Sequence, residues 1–311
     1  MHSFSLIGAC GYIAPRHMQA IYDTKNILVS AYDPMDSLGI LDRYSYDVQF
    51  FKTYEEFAFF NSCVSPKKID FVSVCSPNHL HKPHIAASLR EGSSVICEKP
   101  LVLTTRDIDD LRKLEKQTGK KVFTVLQLRV HDAIKALKKK ISESSSNEKF
   151  EVDLCYMTSR GPWYHQTWKA NEMLSGGLPS NIGIHFFDML TWVFGGIQKN
   201  ELHLAEPDIY GGYLELERAR VRWVLSINRS YLPKKAQRED LTTFRSITVD
   251  GEEIEFSGGF TDLHTRVYED ILSGQGYGLD DSEEAIKIAE QIRNMNPSGI
   301  CGHSHTVLKS L

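Results

Sequence analysis

Phe4-Ser-Leu-Ile-Gly8-Ala-Cys-Gly11-Tyr12-Ile13-Ala14 runs from a short apolar strand, through two glycines, into a segment with helical spacing. Small residues at such a turn let the backbone approach a pyrophosphate closely. The helix that follows offers N–H groups and the positive end of its dipole. The spacing is G-x-x-G-x-x-A, one residue longer than the usual G-x-G-x-x-G. Gly8, Gly11, Tyr12 and Ile13 are the expected contacts on that side of a dinucleotide. Asp33 ends the second strand, where a carboxylate accepts hydrogen bonds from both adenosine ribose hydroxyls and repels a 2′-phosphate. NAD is therefore expected in preference to NADP. The plain alternative is a strand–helix turn followed by an exposed aspartate.

Outward from that turn, apolar runs at Phe4–Gly8, Ile27–Asp33, Asp70–Ser76, Ser93–Glu98 and Lys121–Leu126 alternate with helical patterns at Ile13–Tyr22, Tyr54–Asn61, Pro83–Glu91 and Thr105–Thr118. Such alternation implies a parallel sheet covered on both faces. Beyond it lie a helix (Asp132–Glu143), a polar loop through Ser142–Asn147, and strand-like segments at Lys149–Ser159, Ile209–Leu216, Ala219–Asn228, Phe244–Val249 and Glu252–Phe256. Asp250-Gly251 signals a hairpin. Two helices, Asp262–Ser273 and Ser282–Met295, follow. The expected class is α/β: a Rossmann domain over 1–125, and an α+β domain over 126–311 with a large, mostly antiparallel open sheet. The last helices are free to pack back on the first domain.

The chain has 311 residues, more than one ordinary core holds, and its 41% hydrophobic content is enough to bury two. A net charge of −4 gives no global positive field for nucleic acid or anionic lipid. Cys10, Cys63, Cys75, Cys97, Cys155 and Cys301 lack paired spacing, which reads as reduced thiols. No charged leader and no transmembrane run is present, so a cytoplasmic protein without membrane association is expected.

Three further segments carry chemistry. Ser76-Pro-Asn78-His79-Leu-His81 follows a strand at the sheet edge where a dinucleotide lies, so Ser76, Asn78 and His81 are expected to contact the cofactor. A metal is not expected there, since no cysteine or carboxylate set accompanies the histidines. Glu98-Lys99-Pro100 ends the next strand. Partial desolvation would fit Lys99 for proton transfer, whereas a structural Glu98–Lys99 ion pair is the alternative. Gly176-Gly-Leu-Pro-Ser-Asn181-Ile-Gly-Ile-His185-Phe-Phe-Asp188 enters an apolar helix with Asn181 and His185 on one face and Asp188 three residues on. Alone, such a histidine is as well explained as a satisfied core group. The tail Cys301-Gly-His303-Ser-His305 resembles a metal clip only superficially, and no metal is expected there.

In this order, the glycine turn, the S-P-N-x-x-H loop, E-K-P and the G-I-H helix resemble the glucose–fructose oxidoreductase/inositol dehydrogenase family along essentially the whole chain. The resemblance implies that Lys99 and His185 flank a substrate hydroxyl beside the nicotinamide. Glu98 and Lys99 are expected at the cofactor, and Gln127, ending the last Rossmann strand, at the nicotinamide side or the sugar. Many members carry Asp where this chain has Asn181, and an asparagine cannot stabilise an imidazolium by charge.

Gly11–Met18, Val125-Leu-Gln-Leu-Arg129, Thr158-Ser-Arg160-Gly161 with Trp163-Tyr164, Ala219–Trp223 and Gly259–His264 resemble one branch more closely. Its members oxidise C3 of UDP-N-acetylglucosaminuronate in bacterial surface-polysaccharide (O-antigen) synthesis. That implies a UDP-sugar uronate substrate, for which Lys99, Gln127, Arg160, Trp163, Tyr164, Asn181 and His185 are the candidate contacts. A dianionic nucleotide with a uronate needs cations, and Arg160 near Trp163 is the candidate, a plain surface arginine being the alternative. It further implies an aminotransferase downstream. NADH is reoxidised either by exchange with free NAD or in place by a second substrate such as 2-oxoglutarate, and an exposed sheet face in the second domain would suit a homo-oligomer (dimer or tetramer). The competing readings are a dehydrogenase of another sugar or cyclitol, and a non-catalytic NAD-sensing regulator on the same fold.

Overall fold

Every residue of Ser3–Ile7 (β1) is buried, as the central strand of a sheet covered on both faces must be. The computed structural model describes all residues except 38, 146, 147, 255 and 257. It divides into two compact units: Met1–Gln127 with Thr261–Glu283, and Leu128–Phe260 with Glu284–Leu311.

In the first unit β1 is joined by Ile27–Tyr32 (β2), Gln49–Phe51 (β3), Phe71–Val74 (β4), Ser94–Cys97 (β5) and Val122–Thr124 (β6). All pairs are parallel, in the order β3-β2-β1-β4-β5-β6. The order reverses between β1 and β4, so the crevice beyond their carboxyl ends is where this architecture takes a dinucleotide. The apolar run Lys121–Leu126 shortens to β6, and β3 was not foreseen because three residues are too few to show a period. Among the covering helices, Thr105–Thr118 starts where Thr104 accepts the Asp107 N–H and stops at Gly119 in the left-handed region.

The second unit has Phe150–Thr158 (β7), Ile197–Glu206 (β8), Ile209–Leu216 (β9), Ala219–Ser226 (β10), Thr243–Val249 (β11) and Glu252–Glu253 (β12). Their order is β12-β11-β7-β10-β9-β8. Only β7 and β10 run parallel; the other pairs are antiparallel. Asp250 (φ 52°) and Gly251 (φ 81°) make the expected hairpin turn. The expected strand Glu252–Phe256 forms only at β12, and residue 255 lies outside the described residues, as do 146 and 147 of the serine loop. Edge strand β8 was missed because Gln198, Lys199, Asn200 and Glu201 mask its apolar alternation; such charges are what a sheet edge carries.

The core on one face of this sheet closes around Trp223, which meets Phe187 edge-on at 5.5 Å. On the other face Met157, Val224, Leu232 and Leu308 pack together. All six cysteines are free. Among the described residues no helix is long and apolar enough to cross a membrane.

Candidate functional site

The first unit gathers its polar groups at the carboxyl ends of its strands. Gly8, just past β1, has φ +88°, and a Cβ there would lie 2.6 Å from the Cys75 carbonyl carbon. Backbone fills that space, so the ends of β1 and β4 can only meet around a glycine. At Gly11 a Cβ would come within 3.1 Å of Gly8 O. The helix Ala14–Asp23 begins at Ile13 without a side-chain cap, and Tyr12 stands 86% exposed beside it. Asp33, past β2, is buried and accepts from Cys10 N (Oδ2, 2.9 Å) and Met35 N (Oδ1, 2.9 Å), so the carboxylate also pins the glycine turn. Each oxygen keeps further lone-pair capacity for a ligand hydroxyl. A glycine cradle, an uncapped helix start and a carboxylate at the end of β2 together fit a dinucleotide.

Past β4, Ser76 and Asn78 are buried. The His81 ring faces Pro100 O through Nδ1 and Ser76 O through Nε2, each at 2.8 Å, which ties this loop to the turn past β5. His84 bonds Ser76 Oγ at 2.9 Å and stacks on Tyr54. Burial pushes the His84 imidazole down to about 4, helped by its neighbours His81 and His79. Between pH 6.5 and about 4 the unfolded chain takes up a proton that the folded unit refuses, so stability falls as the pH drops through that window. Thermal melts from about pH 7 to about pH 4 should show a shallower acid loss in His84→Gln than in the wild type. Parallel curves would contradict this.

Glu98, past β5, faces inward. Its Oε1 accepts from His17 Nε2 (3.0 Å) and His264 Nε2 (2.9 Å), while Oε2 accepts the Lys99 N–H (3.2 Å). Tyr268 O–H bonds His17 Nδ1 at 2.7 Å, and Ser73 O–H bonds the Tyr268 oxygen at 2.7 Å. This direction of donation needs only a neutral His17. Burial does lower that imidazole, although Glu98 pulls the other way. For Glu98, burial favours the acid form, but the two histidine hydrogen bonds outweigh it and hold the carboxyl well below the usual range. The buried carboxylate thus fixes the backbone from which Lys99 emerges half-buried, ahead of a cis bond to Pro100. Gln127, half-buried, closes this stretch of the unit. Nothing in the sequence ties His17 and His264 to Glu98, since they are helix residues far from it along the chain.

In the second unit, Asn181 lies in the middle of the wide turn Pro179–Gly183 and His185 is the second residue of the helix Ile184–Phe194 that follows. From 181 to 190 these two are the positions not fully buried, as their shared face requires. Gly183 allows the fit: a Cβ there would meet Phe187 at 2.7 Å and Leu225 at 2.8 Å. Asn181 donates to Tyr164 O–H at 3.0 Å. Burial raises the Tyr164 phenol despite that bond. Asp188 turns inward to Arg129, which grips it at 2.7 Å (Nη2–Oδ1) and 3.2 Å (Nε–Oδ2). Arg160 is exposed and Trp163 half exposed. Lys169, which sequence reading missed, lies 5.4 Å from the Trp163 ring. Burial first, then the Arg160 charge, pull its ammonium below the ordinary value. Two cations close enough to act on each other, one of them over an indole, suit an anionic ligand, and among the described residues neither makes an ion pair.

The Gfo/Idh/MocA description "Oxidoreductase family, NAD-binding Rossmann fold" matches residues 3–126, and "Oxidoreductase family, C-terminal alpha/beta domain" matches 148–237. The chain is 46% identical to the WlbA (WbpB) dehydrogenase of Thermus thermophilus solved with NAD and α-ketoglutarate, over 98% of this chain and 99% of that one, with TM-score 0.95. The same dehydrogenase solved with NAD and UDP-GlcNAcA gives 45% identity, the same coverages and TM-score 0.95. Inositol 2-dehydrogenase of Rhizobium meliloti is 27% identical over 195 residues, 62% of this chain and 54% of that protein. The matched segment spans 36%, 56% and 54% of the first three curated relatives, about half their length.

Proposed function

We propose, from the premise that the chain belongs to the Gfo/Idh/MocA oxidoreductase family, that it oxidises the C3 hydroxyl of UDP-N-acetylglucosaminuronate to the 3-keto sugar. The observation that carries this reading is the likeness, over 98% of the chain at 45% identity, to a dehydrogenase solved with NAD and that nucleotide sugar. NAD, when bound, supplies the hydride acceptor. Gly8, Gly11, Tyr12 and Ile13 would hold its pyrophosphate and Asp33 its adenosine ribose, with Ser76, Asn78 and Gln127 along the same edge. His81 and Glu98 act from behind, by fixing the loop and Lys99.

His185 accepts the C3 hydroxyl proton and Lys99 hydrogen-bonds the same oxygen. Asn181 and Tyr164 orient the sugar. Arg160, Trp163 and Lys169 meet its anionic part, a role for Lys169 that its half-buried, charge-crowded ammonium supports. 2-Oxoglutarate takes the hydride in return, a reading supported by the α-ketoglutarate complex of the Thermus dehydrogenase. A cytoplasmic homo-oligomer, dimer or tetramer, serving O-antigen synthesis with an aminotransferase next in line, completes the proposal.

A substrate panel tests it. kcat/KM on UDP-N-acetylglucosaminuronate should exceed that on UDP-N-acetylglucosamine, free sugars and cyclitols by at least about 100-fold, because an unpaired cationic pocket penalises neutral analogues. Equal or better turnover of a cyclitol would overturn the substrate assignment, and tight NAD binding with no turnover would favour a sensor. Separately, Asp33→Asn should shift the NAD-to-NADP ratio of kcat/KM toward NADP by about tenfold or more, as it removes the charge facing a 2′-phosphate. An unmoved ratio would remove Asp33 from cofactor choice.

A further inference from the structure

The tail that looked too sparse for a metal acquires partners in the fold. Ser298 N–H donates to Leu202 O at 2.8 Å, which lays the C-terminal segment along edge strand β8. This brings Cys301 and His303 against two β8 side chains, Glu201 and His203. Cys301 Sγ lies 3.6 Å from His203 Nε2 and 3.5 Å from His303 Nε2. Glu201 Oε2 lies 3.5 Å from His203 Nε2 and 2.6 Å from His303 Nε2. The thiol and both imidazoles fall within 4.8 Å of one another. His305, the third candidate in the sequence, is not among them: its ring caps the helix Thr306–Lys309 through the Val307 N–H.

We infer that Glu201, His203, Cys301 and His303 form a zinc site that clamps the C-terminal segment to β8. Around a tetrahedral zinc ion, with bonds of about 2.3 Å to sulfur and about 2.0 Å to nitrogen, sulfur–nitrogen edges come to about 3.5 Å and nitrogen–oxygen edges to about 3.3 Å. Three of these four distances already match, but Glu201 falls outside the trio whose ligand atoms lie within 4.8 Å of one another, so its carboxylate must also swing toward the thiol to complete the tetrahedron. The fourth, Glu201 to His303, is a hydrogen bond that must open by under about 1 Å when zinc displaces the proton between them. The outer contacts fit too. Ser304 Oγ bonds His203 Nδ1 at 2.9 Å and so sets the ring with Nε2 toward the cluster. Lys199 holds the other oxygen of Glu201, leaving Oε2 for the metal. One thiolate, two imidazoles and a carboxylate suit zinc, a borderline ion, better than magnesium or calcium. Binding releases the Cys301 thiol proton and fills all four positions with protein, so the site is structural and no substrate enters it.

The full chain, reduced and stripped with a chelator, is titrated with Zn(II) and, in parallel, with Co(II). One ion per chain should bind the wild type and raise its melting temperature. The cobalt form should show a tetrahedral ligand-field spectrum with thiolate-to-cobalt charge transfer. Cys301→Ser should abolish the charge-transfer band and weaken zinc by at least about 100-fold, and Ser304→Ala, which touches no metal, should weaken it by about 10–100-fold. Circular dichroism confirms that each variant folds. A wild type that binds no zinc, or binding that survives unchanged in Cys301→Ser, overturns the site.

Discussion

Alanine at His185 is expected to lower kcat by about 10²–10⁴-fold with little change in NAD affinity, and Lys99→Ala to do the same. Along 181–190 the helix face is closed except at Asn181 and His185, so a ligand reaching this helix meets those two groups. Asn181 is turned toward Tyr164, and the nearby carboxylate of Asp188 is gripped by Arg129. The imidazole is therefore the basic group this face presents. Lys99 has complementary support: Glu98 is held ionised by two histidines and receives the Lys99 N–H, which fixes the strand end that carries the ammonium. The readout is steady-state kcat and KM together with NAD titration by fluorescence. If both groups act on the reacting hydroxyl, the loss falls on kcat, and the double variant loses much less than the product of the single losses. A loss confined to KM would make them binding residues only.

Asp188→Ala is expected to cost the second unit about 3–5 kcal/mol, because it removes the carboxylate paired with a guanidinium that is only 4% exposed. Arg129 has the Trp192 ring at 5.8 Å, and an indole cannot replace a carboxylate for a buried cation. The pair itself is not the source of the cost. Replacing both partners at once, as in Arg129→Met with Asp188→Leu, should recover most of the stability, since the desolvation of both charges disappears with them. Urea titration followed by tryptophan fluorescence distinguishes the cases, since Trp192 and Trp223 both lie in this unit. A single variant as stable as the double one would mean that water reaches Arg129.

Local signals carried the sequence reading furthest. The glycine turn, Asp33 at the end of β2, Lys99 at the end of β5 and the shared face of Asn181 and His185 all follow from strand ends and helical period. Partners distant along the chain were hidden. Glu98 was expected at the cofactor, yet it faces His17 and His264, which sit on helices that neither period nor spacing connects to it. Asp188 stood three residues from His185, but whether it served that ring or the core depended on Arg129, from another element. Lys169 sits in the single 3₁₀ turn Trp168–Ala170, too short to show a pattern. The tail Cys301-Gly-His303 showed half of a cluster whose other half, Glu201 and His203, lies on a strand that its own charges concealed.

The central claim is hydride removal from C3 of a UDP-sugar uronate by a family oxidoreductase using NAD. The direct measurement incubates the enzyme with NAD and UDP-N-acetylglucosaminuronate carrying deuterium at C3, then analyses the reduced cofactor and the sugar by mass spectrometry. The account predicts one deuterium in the nicotinamide ring, its loss from the sugar, and a slower single turnover than with the protio substrate. Reduced cofactor without deuterium, or a sugar that keeps its label, would contradict it.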